Sequence, residues 1–353
     1  MSSTWGQFLQ VSTFGESHGP GLGVVVDGMP AGVPLAVDDI QHQLDRRRPG
    51  ASEMTSARRE PDRVEVLSGL AGGRTLGSPI AMLVRNQDAR PGDYQELGRV
   101  FRPGHADYTY FRKYGLPPQP GGGRASGRET LARVAAGAVA RALLAPLGVE
   151  IFACTVQVGG LKAERVDPSF AENDPLRCAD PELAGQMARE VRRARAEGDS
   201  LGGVVLLSAR GVPAGLGEPV FHKLDAALGG AMLSIGGVKG VEVGDGFACA
   251  ARRGSENNDQ MNDGGFMSNH AGGILGGIST GQPIVLRLAI KPTPSIARQQ
   301  RTRDLEGREQ CIRIEGRHDP CLCPRIAPVA EAMAALVLAD ALLAQRARER
   351  WQP

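Results

Sequence analysis

A glycine-rich stretch near the middle of the chain leads into a segment with a helical pattern of apolar residues. From Leu131 to Leu143 the apolar positions recur at intervals of three and four residues, which is the spacing of one buried helical face. Ser126 and Glu129 have the S-x-x-E spacing of a capping box. The pattern therefore predicts an amphipathic helix that begins directly after Ser126 and ends near 146–148, where the chain reads Pro-Leu-Gly.

Other short apolar runs bounded by turn signals predict buried strands, and longer runs predict helices. Strands are expected at about 22–26, 64–70, 80–84, 149–160, 203–208 and 284–290. Helices are expected at about 38–48, with Asp38 as the N-cap, and at about 180–197, 221–235 and 328–346. The last helix carries Ala, Leu and Val on nearly every face, so it should be deeply buried or lie at a subunit interface. The mixture of elements, without regular βαβ alternation, favours an α+β fold.

Two stretches follow no regular period. Residues 252–277 are rich in Asn, Asp and Gly, and a loop this long in a compact chain is usually a lid or a binding loop. Residues 298–317 are rich in arginine, a composition that a nucleic-acid-binding protein could use. The net charge of only +2 and the aromatic content of 4% argue against that class, because few side chains could stack on bases.

Length and composition limit the broad class of protein. The chain has 353 residues and 41% hydrophobic content, enough for a large core in one or two domains. No apolar segment follows a basic N-terminal region, and we expect no apolar run long enough to cross a bilayer. The six cysteines form no C-x-x-C pair, so neither a disulfide framework nor a structural zinc site is expected. We expect a soluble protein of the reducing cytoplasm, with no membrane partner and no metal.

Arginine supplies most of the positive charge. Five of the 41 basic residues are lysine, so the other 36 are arginine. Codon bias in a GC-rich genome could explain most of this excess. Clusters such as 46–48 would nevertheless form good forks for oxyanions, since a guanidinium group binds phosphate or carboxylate through two hydrogen bonds.

The glycine-rich stretch has the features of an anion site. Three glycines at 121–123 precede the predicted helix, and Arg124 and Arg128 flank its cap. A helix N-terminus offers free N–H groups and a positive dipole end, to which the two arginines add charge. The alternative is a flexible loop that only caps a helix. His18 lies in another glycine-rich turn, where the sequence allows a ring exposed at a site or a buried core ring equally well.

Several common fingerprints are missing from the sequence. There is no G-x-x-x-x-G-K-[ST] loop for nucleotide phosphates, no Rossmann G-x-G-x-x-G and no H-E-x-x-H zinc motif. What remains is an arginine-rich anion site together with His18, His105 and Asp319, each in a glycine-bounded loop. A phosphate-ester hydrolase or phosphotransferase with a histidine nucleophile would use the same parts, without a flavin.

Seven motifs occur in the same order as in one known family. They are Gly15-Glu-Ser-His-Gly19, Arg46-Arg-Arg-Pro-Gly50, Arg102-Pro-Gly-His-Ala-Asp107, Gly121-Gly-Gly-Arg-Ala-Ser-Gly-Arg-Glu-Thr130, Ser268-Asn-His-Ala-Gly-Gly-Ile-Leu-Gly-Gly277, Lys291-Pro-Thr-Pro-Ser295 and Gly316-Arg-His-Asp-Pro320. With these motifs the chain resembles chorismate synthase over nearly its whole length. The resemblance implies a single compact domain over 1–353 with the family's β-α-β sandwich, assembled as a homotetramer.

The resemblance also implies the reaction. The family catalyses an anti-1,4-elimination that converts 5-enolpyruvylshikimate 3-phosphate to chorismate and inorganic phosphate, the last common step of the shikimate pathway to the aromatic amino acids. It requires reduced FMN although there is no net redox change. By family analogy, His18 is the acid that assists the loss of phosphate. His105 protonates or hydrogen-bonds the pyrimidine side of the flavin, and Asp319 works with flavin N5, which removes the ring hydrogen.

Further residues are implied as ligands. The flavin-binding residues that carry over from the family pattern are Arg124, Ala125, Ser126, Gly236, Gly237, Gly276, Lys291, Pro292, Thr293, Pro294, Ser295 and Arg317. The substrate has two carboxylates and a phosphate, to which arginine forks are suited. The arginines that we expect to bind it are Arg47, Arg48, Arg102 and Arg128.

Two positions depart from the common family pattern. Gly236-Gly237 replaces the more usual Asn-Ala, so only backbone contacts can remain there. Glu53 stands where many relatives carry a basic residue linked to nicotinamide nucleotide binding, alongside Arg47. Because a carboxylate would repel a phosphate, we expect no NADPH at that position. The length leaves no room for an added reductase domain, so we expect a monofunctional enzyme whose FMN is reduced by a separate flavin reductase.

Overall fold

The chain folds into two antiparallel sheets with helices between them. The structure is a computed structural model, and it describes residues 3–50, 54–55, 58, 60–88, 97–314, 316 and 318–348. In this part of the chain the strands are β1 (Thr4–Trp5), β2 (Gln10–Gly15), β3 (Gly21–Asp27), β4 (Val64–Val66), β5 (Leu70–Ala71), β6 (Arg74–Thr75), β7 (Ile80–Arg85), β8 (Glu150–Val158), β9 (Leu161–Lys162), β10 (Gly203–Arg210), β11 (Val238–Val243), β12 (Met261–Asn262), β13 (Gly265–Phe266), β14 (Ile274–Leu275), β15 (Ile278–Ser279), β16 (Ile284–Ile290), β17 (Gln300–Arg303) and β18 (Glu309–Ile312). The helices are α1 (Val37–Arg47), α2 (Asp107–Tyr114), α3 (Thr130–Leu144), α4 (Pro168–Asn173), α5 (Pro181–Ala196), α6 (Leu224–Leu233), α7 (Gly254–Asn257) and α8 (Cys323–Ala347).

Each of the two large sheets has five strands. The first has the order β1-β2-β3-β7-β4 and the second the order β11-β16-β10-β8-β9, and the pairings between these strands are antiparallel. In the second sheet, β16 buries every other residue from Ile284 to Ile290. This alternation is typical of a strand that has one face on the core.

Helices α3 and α8 fill the space between the sheets. Helix α3 packs on β2 and β3 of the first sheet, and α8 packs on β8 and β10 of the second. The two helices lie so close together that a Cβ at Gly137 would be 2.4 Å from the Cβ of Ala332. Most residues of α8 are buried, as its apolar sequence predicts. The arrangement is a β-α-β sandwich, which confirms the predicted α+β fold class.

The expectation that no apolar run is long enough to cross a bilayer is wrong. Gly127–Leu147 and α8 both reach the required length and hydropathy. In the structure, however, 61% of the apolar window in the first and 83% of that in the second are buried inside the protein. A core helix meets the same criteria as a membrane span, because burial between sheets and burial in lipid favour the same side chains.

Several helix ends differ from the predictions for local reasons. Helix α1 has Ala36 as its N-cap rather than Asp38, because the side chain of Asp39 accepts a hydrogen bond of 3.0 Å from the Ala36 backbone N–H. Helix α8 begins one turn before the predicted start, and Pro324 lies in its first turn. A proline at that position lacks only an N–H that has no helical partner.

The predicted capping box is only half formed. Ser126 caps the turn that follows it, but this turn is 3-10 helical and the α-helix begins at Thr130. The carboxylate of Glu129 accepts hydrogen bonds from Thr13 Oγ1 and Arg133 Nε, each at 2.9 Å, instead of closing the box. The start of α3 is therefore tied to the first sheet.

Two predicted segments are divided in the structure. The strand expected at 64–70 is split between β4 and the small β5–β6 hairpin. The long irregular stretch at 252–277 contains the short hairpin β12–β13 and the strand β14, which pairs with β15 directly after the stretch. Both changes involve pairings of two residues per strand, which are too short for a periodic pattern to indicate.

A buried carboxylate ties three helices together. Glu331 on α8 is 1% exposed and accepts hydrogen bonds from Arg46 on α1, at 2.6 and 3.0 Å, and from Arg141 on α3, at 2.7 Å. The backbone N–H of Ala153 on β8 donates to it at 2.9 Å. Arg46 also donates twice to Glu172, each time at 2.7 Å. This network fixes the last turn of α1, which carries the arginine cluster, against the core.

We predict that Glu331→Gln lowers the free energy of unfolding by about 3–5 kcal/mol, the usual effect of removing one partner of a buried ion pair. The matched control is Glu182→Gln, because Glu182 and its partner Arg165 have side chains that are 77% and 72% exposed. That substitution should change the free energy of unfolding by less than about 1 kcal/mol. Urea denaturation measures both, and equal effects would contradict a stabilising role of the network.

Candidate active site

One cavity of about 650 Å³ collects most of the predicted site residues. Its lining includes His18, His105 and Asp319. Among the described residues eight basic side chains line it, namely Arg58, Arg102, Arg124, Arg128, Arg133, Lys239, Lys291 and Arg325. In the same part of the chain, only Glu129 and Asp319 contribute carboxylates to the lining. The described lining therefore carries more positive than negative side chains, which suits an anionic ligand.

The glycine-rich stretch forms part of the cavity wall and lies directly on two histidine rings. Gly121, Gly122 and Gly123 have φ angles of 62°, 86° and 50°, in the left-handed region that favours glycine. A Cβ added to Gly121 would lie 2.1 Å from Cε1 of His18, and one added to Gly122 would lie 3.0 Å from Cε1 of His105. Glycine is needed here because the backbone is left-handed and because the rings leave no room for a side chain.

His105 belongs to a cluster of three side chains at the start of α2. Asp107 is 4% exposed and accepts hydrogen bonds from the Arg102 guanidinium, at 2.7 Å from Nε and 2.9 Å from NH2. His105 Nδ1 lies 2.7 Å from Asp107 Oδ1. Burial alone would raise the pKa of Asp107, but hydrogen bonds from Arg102 and His105 hold it well below its usual range. Two of the three guanidinium nitrogens of Arg102 are thus engaged within the protein.

Asp319 is fixed from two sides. Its Oδ2 accepts a hydrogen bond of 2.7 Å from Arg325 NH1, in the first turn of α8. Its backbone carbonyl accepts one of 2.7 Å from Thr293 Oγ1. Burial and the nearby charge of Arg102 lower the pKa of the adjacent His318 to about 4, so this ring is neutral at neutral pH.

The turn before α3 is anchored to neighbouring loops. Arg124 NH2 donates to Thr13 Oγ1 at 2.6 Å. Ser126 Oγ donates to Ser17 Oγ at 3.1 Å and accepts from the Arg128 backbone N–H at 3.3 Å. The residues of this turn that line the cavity are Arg124, Ala125, Ser126, Gly127 and Arg128. The predicted anion-binding turn is therefore held in one position by its own side chains.

Arg47 lies behind the same turn and outside the cavity lining. It is 1% exposed. Its Nε donates to Thr130 Oγ1 at 3.1 Å, its NH2 donates to the Gly127 carbonyl, and its NH1 lies 3.4 Å from Asp62 Oδ2. The fully buried Asp62 also accepts a hydrogen bond of 2.9 Å from Arg128 NH1. Each nitrogen of Arg47 is engaged within the protein, so we do not propose it as a direct substrate ligand.

Three more predicted site residues lie away from the cavity lining. Arg48 is half exposed and lies 3.8 Å from Asp45. Gly276 lies in the turn between β14 and β15, and the whole stretch at 252–277, all of it described, contributes no residue to the lining. Pro292 is likewise absent from the described lining, unlike its neighbours. Outside the described residues lie Glu53 and Arg317.

The remaining flavin-site predictions do line the cavity. A Cβ added to Gly236 would meet no atom within 4 Å, whereas Gly237 has a φ of 102° and would place a Cβ 3.0 Å from Leu322. Lys291 Nζ donates to the Gly104 carbonyl, and burial lowers the pKa of Lys291. The other members of this group are Thr293, Pro294 and Ser295.

The chain matches a family model, several relatives and a solved structure among known proteins. The family model described as chorismate synthase matches residues 9–343. The chorismate synthases of Nitratidesulfovibrio vulgaris strain Miyazaki F and Roseiflexus castenholzii are 56% and 57% identical over 347 and 349 residues, and 98% of each chain is covered in both comparisons. The chain belongs to the chorismate synthase family. It is accordingly a lyase of aromatic amino acid biosynthesis.

A further relative and a solved structure agree with this family. The chorismate synthase of Methanocella arvoryzae is 56% identical over 351 residues, which cover 97% of this chain and 94% of the relative. A solved structure described as a crystal structure of chorismate synthase superposes with a TM-score of 0.76 at 34% sequence identity. The superposition covers 96% of this chain and 92% of the chain in the solved structure. The chorismate synthase fold therefore extends over nearly the whole chain.

Several cavity residues of this family member were not predicted from the sequence. They are Ser17, Arg58, Tyr110, Arg133, Lys239, His318 and Arg325. Arg133 follows Ser126 by seven residues, so the helical period could have placed both on one face. Ser17 lies in a G-x-S-x-G sequence, but its turn joins the antiparallel strands β2 and β3. A nucleophile elbow joins a strand to a helix, so Ser17 is not one.

We predict that Gly121→Ala displaces the His18 ring and lowers chorismate synthase activity by about 100-fold, the usual effect of a displacement of about 1 Å in a site. Gly115→Ala is the matched control, since Gly115 has a φ of 69° and an added Cβ would meet nothing within 4 Å. Both variants should lose roughly 1–2 kcal/mol of stability in urea denaturation, because both force alanine into the left-handed region. Equal activity of the two variants would contradict the close contact with His18.

Proposed function

We propose that this protein converts 5-enolpyruvylshikimate 3-phosphate to chorismate and inorganic phosphate by an anti-1,4-elimination that requires reduced FMN, as the last common step of the shikimate pathway. The observation that carries the proposal is the cavity in which eight basic side chains surround His18, His105 and Asp319. A substrate with two carboxylates and a phosphate matches such a site. Membership of the chorismate synthase family supports the same reaction.

Arg102 and Arg128 are the predicted arginines that we propose as substrate ligands. Both line the cavity, and each is held by a buried carboxylate, Arg102 by Asp107 and Arg128 by Asp62. Such a partner fixes the guanidinium before the substrate arrives, which reduces the entropy lost on binding. The NH2 group of Arg128 is buried with Glu60 Oε2 at 3.6 Å and makes no hydrogen bond among the described residues, so its N–H groups are the ones that we propose for the substrate.

The residues present also fit a flavin mononucleotide. The cavity volume of about 650 Å³ lies in the usual range of ligand sites, the space beside Gly236 is open, and the anchored turn before α3 suits a phosphate. We propose that the flavin is held by Arg124, Ala125, Ser126, Gly236, Gly237, Lys291, Thr293, Pro294 and Ser295. Contacts from Gly276, Pro292 and Arg317 stay predictions of the family resemblance. When bound, reduced FMN supplies the electron density that eases cleavage of the C–O bond.

Three side chains are proposed to hold or move protons in the cavity. His18, held against Gly121, donates a proton to the departing phosphate oxygen and so neutralises its developing charge. Asp319, fixed by its 2.7 Å hydrogen bond from Arg325, is the side chain proposed to work with flavin N5. His105 protonates or hydrogen-bonds the pyrimidine side of the flavin. The surrounding cations keep the released phosphate and both carboxylates oriented.

We also propose a homotetramer that works in the cytoplasm with a separate flavin reductase. Large apolar side chains are exposed, with Val220 at 71%, Phe221 at 89% and Phe247 at 84%. Exposed apolar surface of this kind is typical of subunit contacts. The separate flavin reductase stays a prediction of the family resemblance.

Anaerobic turnover of 5-enolpyruvylshikimate 3-phosphate tests the proposed reaction. We expect chorismate, followed by its absorbance, with photoreduced FMN and none with oxidised FMN. His18→Ala, His105→Ala and Asp319→Ala should each lower kcat by about 100-fold to 10,000-fold, the range for one positioned acid or base. Release of phosphate without chorismate, or independent of flavin, would instead favour a phosphate-ester hydrolase.

NADPH is predicted not to sustain turnover by the purified protein. Glu53 would repel its phosphate, and Arg47 is engaged with Thr130, Gly127 and Asp62. The measurement is chorismate formation with NADPH and oxidised FMN, with and without an added flavin reductase. We expect product only when the reductase is present. Product without it would contradict a monofunctional enzyme.

A further inference from the structure

Two polar neighbours compete for one nitrogen of His105. Asp107 Oδ1 lies 2.7 Å from His105 Nδ1, and Arg102 NH2 lies 3.1 Å from the same atom. A ring nitrogen either carries a hydrogen and donates it, or carries a lone pair and accepts. Only one of these two contacts can therefore be a hydrogen bond.

The charge of Asp107 decides between the two contacts. It accepts two hydrogen bonds from the Arg102 guanidinium and a third, of 3.2 Å, from the Arg102 backbone N–H. These donors favour the ionised carboxylate, which can only accept. An acceptor 2.7 Å away requires a hydrogen on His105 Nδ1. Arg102 NH2 is then satisfied by its bond of 2.9 Å to Asp107 rather than by the ring.

This hydrogen bond sets which edge of the ring faces the cavity. With Nδ1 directed to Asp107, the opposite edge of His105 lies on the glycine wall. A Cβ at Gly122 would lie 3.0 Å from Cε1 and 3.2 Å from Nε2. The printed side-chain hydrogen bonds of His105 involve only Nδ1, so Nε2 is the ring nitrogen left for a ligand in the cavity that this ring lines.

We propose that Asp107 is a positioning residue for the elimination, which fixes the tautomer and orientation of His105 and orients Arg102 through the same carboxylate. The proposal rests on the proposed function, because that function assigns both residues to the reaction. Asp107 is buried behind them and is not part of the described cavity lining, so its effect passes through them. A carboxylate orients the histidine of a serine protease triad in the same way.

Side-chain ¹⁵N NMR of the histidines tests the tautomer directly. When neutral, His105 of the wild-type protein should carry its hydrogen on Nδ1 and leave Nε2 unprotonated. In Asp107→Asn the charged acceptor is lost and the new amide can donate to Nδ1, so the population should shift towards the Nε2–H form. A wild-type His105 in the Nε2–H form would overturn the proposal, whether or not the variant folds.

The chain offers a matched control outside the cavity. Asp245 Oδ2 lies 2.5 Å from Nδ1 of His270, and Arg252 NH1 lies 2.6 Å from the same nitrogen. Asp245→Asn should therefore shift the tautomer of His270 in the same way. All three residues are described and none lines the cavity, so kcat should stay unchanged. A loss of kcat in this control equal to that in Asp107→Asn would overturn a role specific to His105.

Steady-state kinetics separate positioning from packing. Asp107→Asn should lower kcat by about 100-fold, through His105, and raise KM, through Arg102. In a His105→Ala background the same substitution should leave kcat unchanged and still raise KM, because the carboxylate then has no histidine to orient. A further fall of kcat in the folded double variant would overturn the proposal. Failure of the proposed function itself would be distinct, since the wild-type protein would then form no chorismate.

Discussion

The contact between a glycine backbone and two histidine rings is the constraint on which the site depends. Gly121 and Gly122 lie against His18 and His105, and a Cβ on either glycine would meet the ring. The left-handed backbone that brings them there is accessible mainly to glycine. The same stretch continues into the anchored turn before α3, so one backbone path places both histidines and the anion-binding turn. Because the two glycines and the turn belong to one continuous stretch, a shift of the turn would disturb the contacts with both rings, and this favours precise geometry for the reaction.

Buried carboxylates hold the cations that surround this stretch. Asp107 binds Arg102, and Asp62 binds Arg128. Each carboxylate lies almost fully inside the protein, at 4% and 0% exposure, and each offsets the repulsion between neighbouring guanidinium groups. Cations that are fixed in advance need no reorganisation when negative charge develops on a substrate. The interactions that stabilise this region of the fold therefore also aim its positive charge into the cavity.

Patterns in the sequence predicted the elements that have one buried face. They did not predict element ends that are determined by local hydrogen bonds. The strand expected at 284–290 is β16, because alternation and turn signals specify both its face and its ends. The N-cap of α1 differs because a carboxylate one residue beyond Asp38 bonds to the cap backbone. For the site, turn signals placed His18, His105 and Asp319 in loops, but only the family resemblance brought them together. Their meeting depends on long-range packing, which no local period encodes.

The arginine cluster at the end of α1 shows why composition alone could not assign ligands. Arg46 bonds to Glu331 and Arg47 reaches Asp62, while Arg48 is half exposed. Successive residues of a helix point about 100° apart, so three neighbours reach three environments. The carboxylates that engage the first two lie 285 and 15 residues away in the sequence. An excess of arginine therefore indicates anion binding only after its internal partners are known, and in this fold those partners decide which guanidinium groups remain for the substrate.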